Sequence, residues 1–309
     1  MQTRNSILVL GAGELGMAML RNLSRRAGTL PHVSLTVLLR ASTLDSTDPA
    51  KMEDIAELRS LGVDLLAGDV AQQSEAELAT LFRPFDTVVS CTGFVGGRGI
   101  QLKLARAALA AQVQRYFPWQ FGVDYDVIGR GSAQDLFDEQ LDVRDLLRAQ
   151  SDTEWVIVST GMFTSFLFEP AFGVVDLARR TVHALGSWDN AVTVTTADDI
   201  GALTAEILFD EPRIANQIVY TAGDTVTYRQ LADAVDAMLA VSGVQAQREV
   251  WTVADLQREL AADPEDSLKK YRAVFAAGKG VAWDKRQTFN AQRGIDVCDL
   301  QQWMRQNLG

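Results

Sequence analysis

The segment Gly11-Ala12-Gly13-Glu14-Leu15-Gly16 does most to restrict the fold. It follows the apolar run 6–10 and opens a helical stretch with Leu15, Met19 and Leu23 on one face. In such a strand-to-helix turn the first glycine permits the tight bend and the second lets backbone approach a pyrophosphate. The third allows close helix–strand packing, and the helix N-terminus turns N–H groups toward phosphate. A bare G-x-G-x-x-G is weak because glycines are common in turns. Its place between strand and helix makes it a dinucleotide cradle rather than a structural turn. Glu14 is expected to point its side chain away, where a first-turn acid suits the helix dipole.

Beyond this turn the chain alternates short β-branched runs with helical patterns, the signature of βαβ units. Strands are expected at 6–10, 33–39, 63–67, 86–90, 114–117 and 154–159, and helices at 14–26, 52–61, 75–82, 99–112 and 132–150. The strands are mostly continuous apolar runs, as in a parallel sheet covered on both faces. Beyond about residue 160 the pattern loosens. Strands near 181–184, 191–194 and 217–220 alternate with helices 197–209 and 228–241, and helices 253–262, 265–277 and 298–307 close the chain. Thr227 with Gln230, and Thr196 with Asp199, are expected to cap helices rather than to act chemically. The expected fold is α/β: a Rossmann-type doubly wound parallel sheet over 1–160 that binds the dinucleotide, with a smaller C-terminal α/β substrate lobe over 161–309. The chain is expected to cross back to the sheet around 190–225.

Composition removes several alternatives. Hydrophobic residues make up 47% and charged residues 22%, an ordinary globular balance. No apolar run is long enough to span a bilayer, and the run at 6–10 is too short for a signal-peptide core, so the expectation is a cytoplasmic protein. The net charge of −11 argues against nucleic acid as the partner. Two cysteines and two histidines, dispersed along the chain, give no disulfide framework and no metal site. Cys91 reads as a small packed residue rather than a nucleophile.

The second strand ends in Leu38-Leu39-Arg40, where an acid would bond a ribose 2′-hydroxyl. Arg40 suits a 2′-phosphate instead, so NADP(H) is expected over NAD, the alternative being a surface arginine. Asp69 either reaches the adenine ring or closes the turn after the third strand. The loop Cys91-Thr92-Gly93-Phe94 is expected to pass beside the cofactor's phosphates and ribose, through Thr92 and Gly93. A short-chain dehydrogenase would carry Lys four positions after its Tyr. The residues there are Gln120, Gly129, Asp224, Ala232 and Phe275, so that pair is absent.

Phe117-Pro118-Trp119-Gln120-Phe121-Gly122 resembles the F-P-S-E-F-G segment of the isoflavone reductase/NmrA-like family of atypical short-chain dehydrogenases. Phe137-Asp138-Glu139-Gln140 with Arg144, then Trp155–Val158 and Gly161-Met162-Phe163, continue the pattern over roughly 5–240. The resemblance implies either an NADPH-dependent reductase of aromatic or enone-like molecules or a dinucleotide-sensing regulator without turnover. It assigns Met162 and Phe163 to the cofactor. It also aligns the family's catalytic lysine with Gln140, and an amide cannot donate or accept a proton as an amine does. Helical spacing puts Gln140 on the inward stripe with Leu136, Val143 and Leu147, so its amide faces either a cofactor ribose or carboxamide, or nearby backbone. Tyr125 is the substitute proton donor, with Gln140 beside it in the catalytic role. Phe94, Trp119, Phe121, Tyr125, Phe163, Phe166, Phe168 and Phe172 crowd the segments expected to frame the nicotinamide; many of the eight are expected to be ordinary core, and the first six are the candidates to hold a small, flat aromatic molecule. The expected assembly is a monomer or homodimer, with a protein partner if the chain is regulatory.

Overall fold

A computed structural model describes residues 5–30, 32–94, 96–240 and 243–308. The apolar run before the glycine turn forms β1 (Asn5–Leu10), which leads through α1 (Glu14–Ala27) to β2 (Val33–Leu39). Next come α2 (Ala41–Leu44), α3 (Pro49–Ser60), β3 (Asp64–Ala67), α4 (Glu75–Phe82), β4 (Thr87–Ser90), α5 (Ile100–Ala111) and β5 (Arg115–Phe117). The short α6 (Tyr125–Ile128) precedes α7 (Leu136–Arg148) and β6 (Glu154–Ser159). The rest of the chain runs β7 (Met162–Phe163), β8 (Val175–Asp176), β9 (Thr181–Leu185), β10 (Ala191–Thr195), α8 (Ala197–Leu208), β11 (Gln217–Tyr220) and β12 (Asp224–Thr227). It ends with α9 (Tyr228–Leu239), β13 (Gln247–Trp251), α10 (Val253–Ala262), α11 (Ser267–Ala276), α12 (Phe289–Arg293) and α13 (Leu300–Asn307). Val241, in the helix expected at 228–241, lies outside the described residues.

Seven strands form one parallel sheet in the order β11-β6-β5-β4-β1-β2-β3. Ile7, Leu8, Val9 and Leu10 of central β1 have no exposed surface, which explains their unbroken apolar run. β1 pairs with β2 on one side and β4 on the other, so the strand order reverses beside it. A crevice at such a reversal, beyond the carboxyl ends of the strands, is where open α/β sheets take ligands. The strand expected at 217–220 is the outer strand of this sheet, next to β6.

The chain groups into two units. One comprises residues up to Gln120 with Asp142–Val158 and Ile200–Val219, and the other Phe121–Leu141, Ser159–Asp199 and the residues from Tyr220 onward. In the first, Leu8, Leu38, Val88, Leu104, Val143 and Ile157 share one apolar core. The second holds two three-stranded sheets, β12-β10-β7 and β13-β9-β8, around Phe137, Phe172, Val182, Leu231 and Phe275. β12 and β13 lack the apolar runs that mark strands; β13 is exposed along most of its length.

Both expected caps form. Thr227 and Gln230 make a reciprocal capping box, and Thr196 Oγ1 accepts the Asp199 N–H at 3.0 Å. α3 starts three residues before its expected position because Asp48 Oδ1 accepts from Ala50 N and Lys51 N, with Pro49 set at the first turn. Among the described residues no helix is long and apolar enough to cross a membrane.

Candidate functional site

The glycine turn leaves β1 at the reversal of strand order, with Gly11 N–H donating to Leu38 O at 3.1 Å and Cys91 N–H to Leu10 O at 2.9 Å. Gly11 takes φ +88°, a left-handed conformation that favours glycine. A Cβ on Gly16 would lie 2.2 Å from Gly11 O, so the third glycine is required by the turn itself more than by a strand. Gly13 differs: its φ is −74°, and a Cβ there would meet no protein atom within 4 Å. Nothing in the protein asks for glycine at that position. Gly13 also begins α1 with no side-chain cap, which leaves the first-turn N–H groups facing outward. An open approach to bare backbone at the N-terminus of a 14-residue helix fits a dinucleotide pyrophosphate. Ala12 is half-buried, Leu15 is buried, and Glu14 is exposed.

Arg40 stands exposed directly after β2. Asp69 Oδ1 accepts from Ala71 N at 2.9 Å and Gln72 N at 3.2 Å, so one carboxylate oxygen serves the turn. After β4, Gly93 adopts φ +59°, and a Cβ there would touch the Trp119 ring at 3.5 Å. Gln101 Nε2 donates to Gly93 O and fastens the same loop. Sequence reasoning missed Gln101, although a buried amide in an otherwise apolar stripe was a usable signal. Thr92 and Phe94 flank Gly93 and are half-buried. Cys91 is buried, and burial pushes its thiol far above the ordinary range, against a nucleophilic role.

The loop after β5 carries buried Gln120, whose Oε1 accepts from the equally buried Arg144 Nε at 2.8 Å. Phe121 is buried, and Gly122 O accepts from Thr160 N at 2.9 Å and Gly161 N at 3.0 Å. This ties the loop to the segment leaving β6. Gly161 has φ +77°, and a Cβ there would lie 2.1 Å from Thr193 O, which brings Met162–Phe163 beside β10. Gln140 has no exposed surface, whereas Asp142 and Asp145 on the same helix are exposed, as its spacing predicts.

Tyr125 packs into the core of its unit, its ring 4.9 Å from Phe137 in an edge contact. Its hydroxyl crowds Gly122, lying 2.6 Å from where a Cβ would stand. The row continues through Tyr271, 5.8 Å from Phe137, to Phe166, which stacks on Phe172 at 4.5 Å. Burial pushes the Tyr271 phenol up to about 12. Phe168 stacks on Trp303 at 4.8 Å. Tyr125 and Phe166 thus share one aromatic row with core residues; Phe163 is half-buried at its strand. Sequence reasoning also missed the pairing of Tyr220 with Asp124, where the phenol donates to Oδ2 at 2.7 Å. Nothing in either local sequence signals it.

The family model described as NmrA-like family matches residues 3–276. An NmrA-like family domain-containing oxidoreductase of Gibberella moniliformis is 48% identical over 97% of this chain and 97% of its own length. Phenylcoumaran benzylic ether reductase 1 of Arabidopsis thaliana is 30% identical over 74% of this chain and 72% of its own. Among solved structures, AtPrR2 with NADP+ and (+)pinoresinol superposes with a TM-score of 0.76 at 18% identity, covering 99% of each chain.

Proposed function

The chain belongs to the NmrA-like family, and we propose that it is an oxidoreductase, an NADPH-dependent reductase of an aromatic or enone-like small molecule. The open approach to Gly13 at the uncapped start of α1 carries this reading. The oxidoreductase and reductase names of its relatives, and the NADP+ bound to a structural neighbour, support it. NADPH supplies a hydride when bound. The backbone of residues 11–16 holds its pyrophosphate, and Arg40 takes the 2′-phosphate as a charge-assisted partner. Asp69 keeps one oxygen for its turn and turns the other to the adenosine, while Thr92 and Gly93 flank the phosphates and ribose. Met162, Phe163 and the Gln140 amide receive the nicotinamide end. Phe94, Trp119, Phe121, Phe163 and Phe166 hold a flat ligand. Gln140 orients rather than transfers a proton, and the Tyr125 hydroxyl, or a water that the two hold, delivers it.

Gln140 favours a second reading, an NADP(H)-sensing regulator without turnover, because the position brings no ammonium. Calorimetric titration with NADPH, NADP+ and NADH, followed by NADPH oxidation assays over aromatic enones and ethers, separates the two. The reductase predicts NADPH affinity at least about tenfold above NADH, lost in Arg40→Ala, together with turnover of some panel member. Binding without turnover, with unequal affinity for oxidised and reduced cofactor, supports the regulator. New turnover only in Gln140→Lys marks a reductase scaffold that has lost its acid/base. Absence of any dinucleotide binding overturns both readings.

A further inference from the structure

β13 is the outer strand of its sheet, and among the described residues it pairs with β9 alone. Gln247 N–H donates to Arg180 O at 2.8 Å at one end of the strand, and Gly186 N–H to Trp251 O at 2.8 Å at the other. In a parallel ladder these two bonds set the alternation. Gln247, Glu249 and Trp251 turn their backbone groups to β9, and Arg248 and Val250 turn theirs outward. The outward row is finished at its start, where Asp236 Oδ1 of α9 accepts the Ala246 N–H at 2.6 Å. Beyond it the strand faces water: Gln247, Arg248, Glu249 and Val250 are all exposed, Val250 at 38%.

Edge strands are ordinarily blunted by a proline, a bulge or a charge standing over the edge. Neither proline nor a break in register interrupts Gln247–Trp251. Its two charges are drawn away along the faces of the sheet. Arg248 Nη2 donates to Asp233 Oδ1 at 2.6 Å and its Nε to Asp236 Oδ2 at 3.2 Å, on the α9 face. Glu249 Oε2 lies 3.3 Å from His183 Nε2 on the opposite face. The main chain is left as the contact surface of the edge. Beside it stands Val250, which with Met52 and Val127 makes up the large apolar residues exposed among the described ones.

We propose that this edge pairs with the same edge of a second copy of the chain, antiparallel about a two-fold axis at Val250. Charge selects the register. With Val250 opposite Val250, Arg248 meets Thr252 and Glu249 meets Trp251 across the seam, so no like charges face each other. Registers shifted toward the start of the strand set Glu249 on Glu249 or Arg248 on Arg248, which is destabilising. A shift the other way puts Arg248 opposite Ala254, inside α10, where no strand continues. α9 packs over β9, one strand in from the edge. Three strand spacings would hold the two α9 helices about 14 Å apart, room for helices about 10–12 Å wide. A seam of 5 residues is small beside the roughly 1,600 Å² of a standard interface, so the dimer is weak and reversible. The inference concerns assembly and holds under either reading of function above.

Sedimentation equilibrium of the full chain from about 5 to about 500 µM is expected to show monomer passing reversibly to dimer. Val250→Pro removes an outward N–H and none that bonds β9, so the protein folds while dimerisation weakens at least about tenfold. Cysteine trapping reads the register. Under diamide, Val250→Cys is expected to cross-link above the wild-type background, since the axis sets its two Cα atoms about 5.5 Å apart. Gln247→Cys, whose copies stand about 20 Å apart in this register, is expected to stay at background. Monomer at every concentration overturns the proposal and leaves the edge to a strand of another protein. Unaltered dimerisation of a folded Val250→Pro protein overturns it too, because the contact then lies elsewhere. If Val250→Pro does not fold, trapping decides. Cross-linking at 250 alone supports the proposal, and equal cross-linking at 247 and 250, or none at either, overturns it.

Discussion

Gly13 and Gly16 belong to one turn and answer to different demands. A methyl on Gly16 collides with the Gly11 carbonyl, so Gly16→Ala must displace the turn and is expected to lower both the thermal midpoint and NADPH affinity. A methyl on Gly13 enters open space at an ordinary φ. Gly13 is the N-cap of α1, where alanine is somewhat less favourable than glycine, so Gly13→Ala is expected to lower the midpoint only slightly. Its NADPH affinity should still fall at least about tenfold, because the methyl occupies the approach of the pyrophosphate. Thermal melts beside calorimetric titrations check the pair. Equal losses of stability in the two variants would remove the assignment of Gly13 to a ligand.

At the scale of elements, Arg115 shows how an outer strand is fastened. It begins β5, is buried, and lies 4.9 Å from the Phe117 ring centroid. Its Nη1 donates to Leu208 O at 2.6 Å and its Nη2 to Ile214 O, joining β5 to the end of α8 and the segment that enters β11. Burial lowers its pKa to about 10, and Arg213 nearby adds to that, yet the group stays charged at neutral pH. Arg115→Met strips both carbonyls of a donor and is expected to cost about 2–4 kcal/mol, measured by urea unfolding. A loss below the noise would mean that the carbonyls find other donors. None of this was legible in the sequence, where Arg115 follows Gln114 as the second of two polar residues opening the strand expected at 114–117. The strands of the large sheet were legible because burial on both faces leaves continuous apolar runs, as in β1 and β6. β12 and β13 were not: β13 is exposed along most of its length, β12 puts a single apolar residue, Val226, into the core, and backbone pairing to β10 and β9 defines both. The same division runs through the site. Gly11–Gly16 and Gln140 follow local rules of turn and helix period, whereas Asp124–Tyr220 and Arg144–Gln120 are products of tertiary placement.

Across the whole molecule, one carboxylate should leave a trace in the pH dependence of stability. Asp199 is raised above the usual aspartate range by burial, more than the bonds from Thr196 and the Cys298 N–H lower it, and Asp198 adds to the rise. The folded state therefore binds this proton more readily than the unfolded chain, whose value is about 3.9. The stabilising contribution grows as pH falls through the folded pKa and is complete below about 3.9; above the folded pKa it is absent. Asp199→Asn removes that dependence. Its midpoint relative to wild type should be most favourable near neutrality and decline on acidification, a trend that melts at a series of pH values would reveal. A constant offset would place Asp199 in a better-solvated setting.

The two units also have a consequence for how such a chain can change. The polypeptide passes from one to the other at Gln120/Phe121, Leu141/Asp142, Val158/Ser159, Asp199/Ile200 and Val219/Tyr220, so no single cut parts them. Neither can be excised as a contiguous gene fragment, and a transplant of ligand preference would need three separate inserts. Two of those inserts are short stretches of chain, 121–141 and 159–199. They hold Tyr125, Gln140, Met162, Phe163 and Phe166, while the glycine cradle lies wholly in the other unit. On the proposed reading, drift in these stretches would retune the nicotinamide end and the ligand wall and leave the pyrophosphate cradle at residues 11–16 untouched.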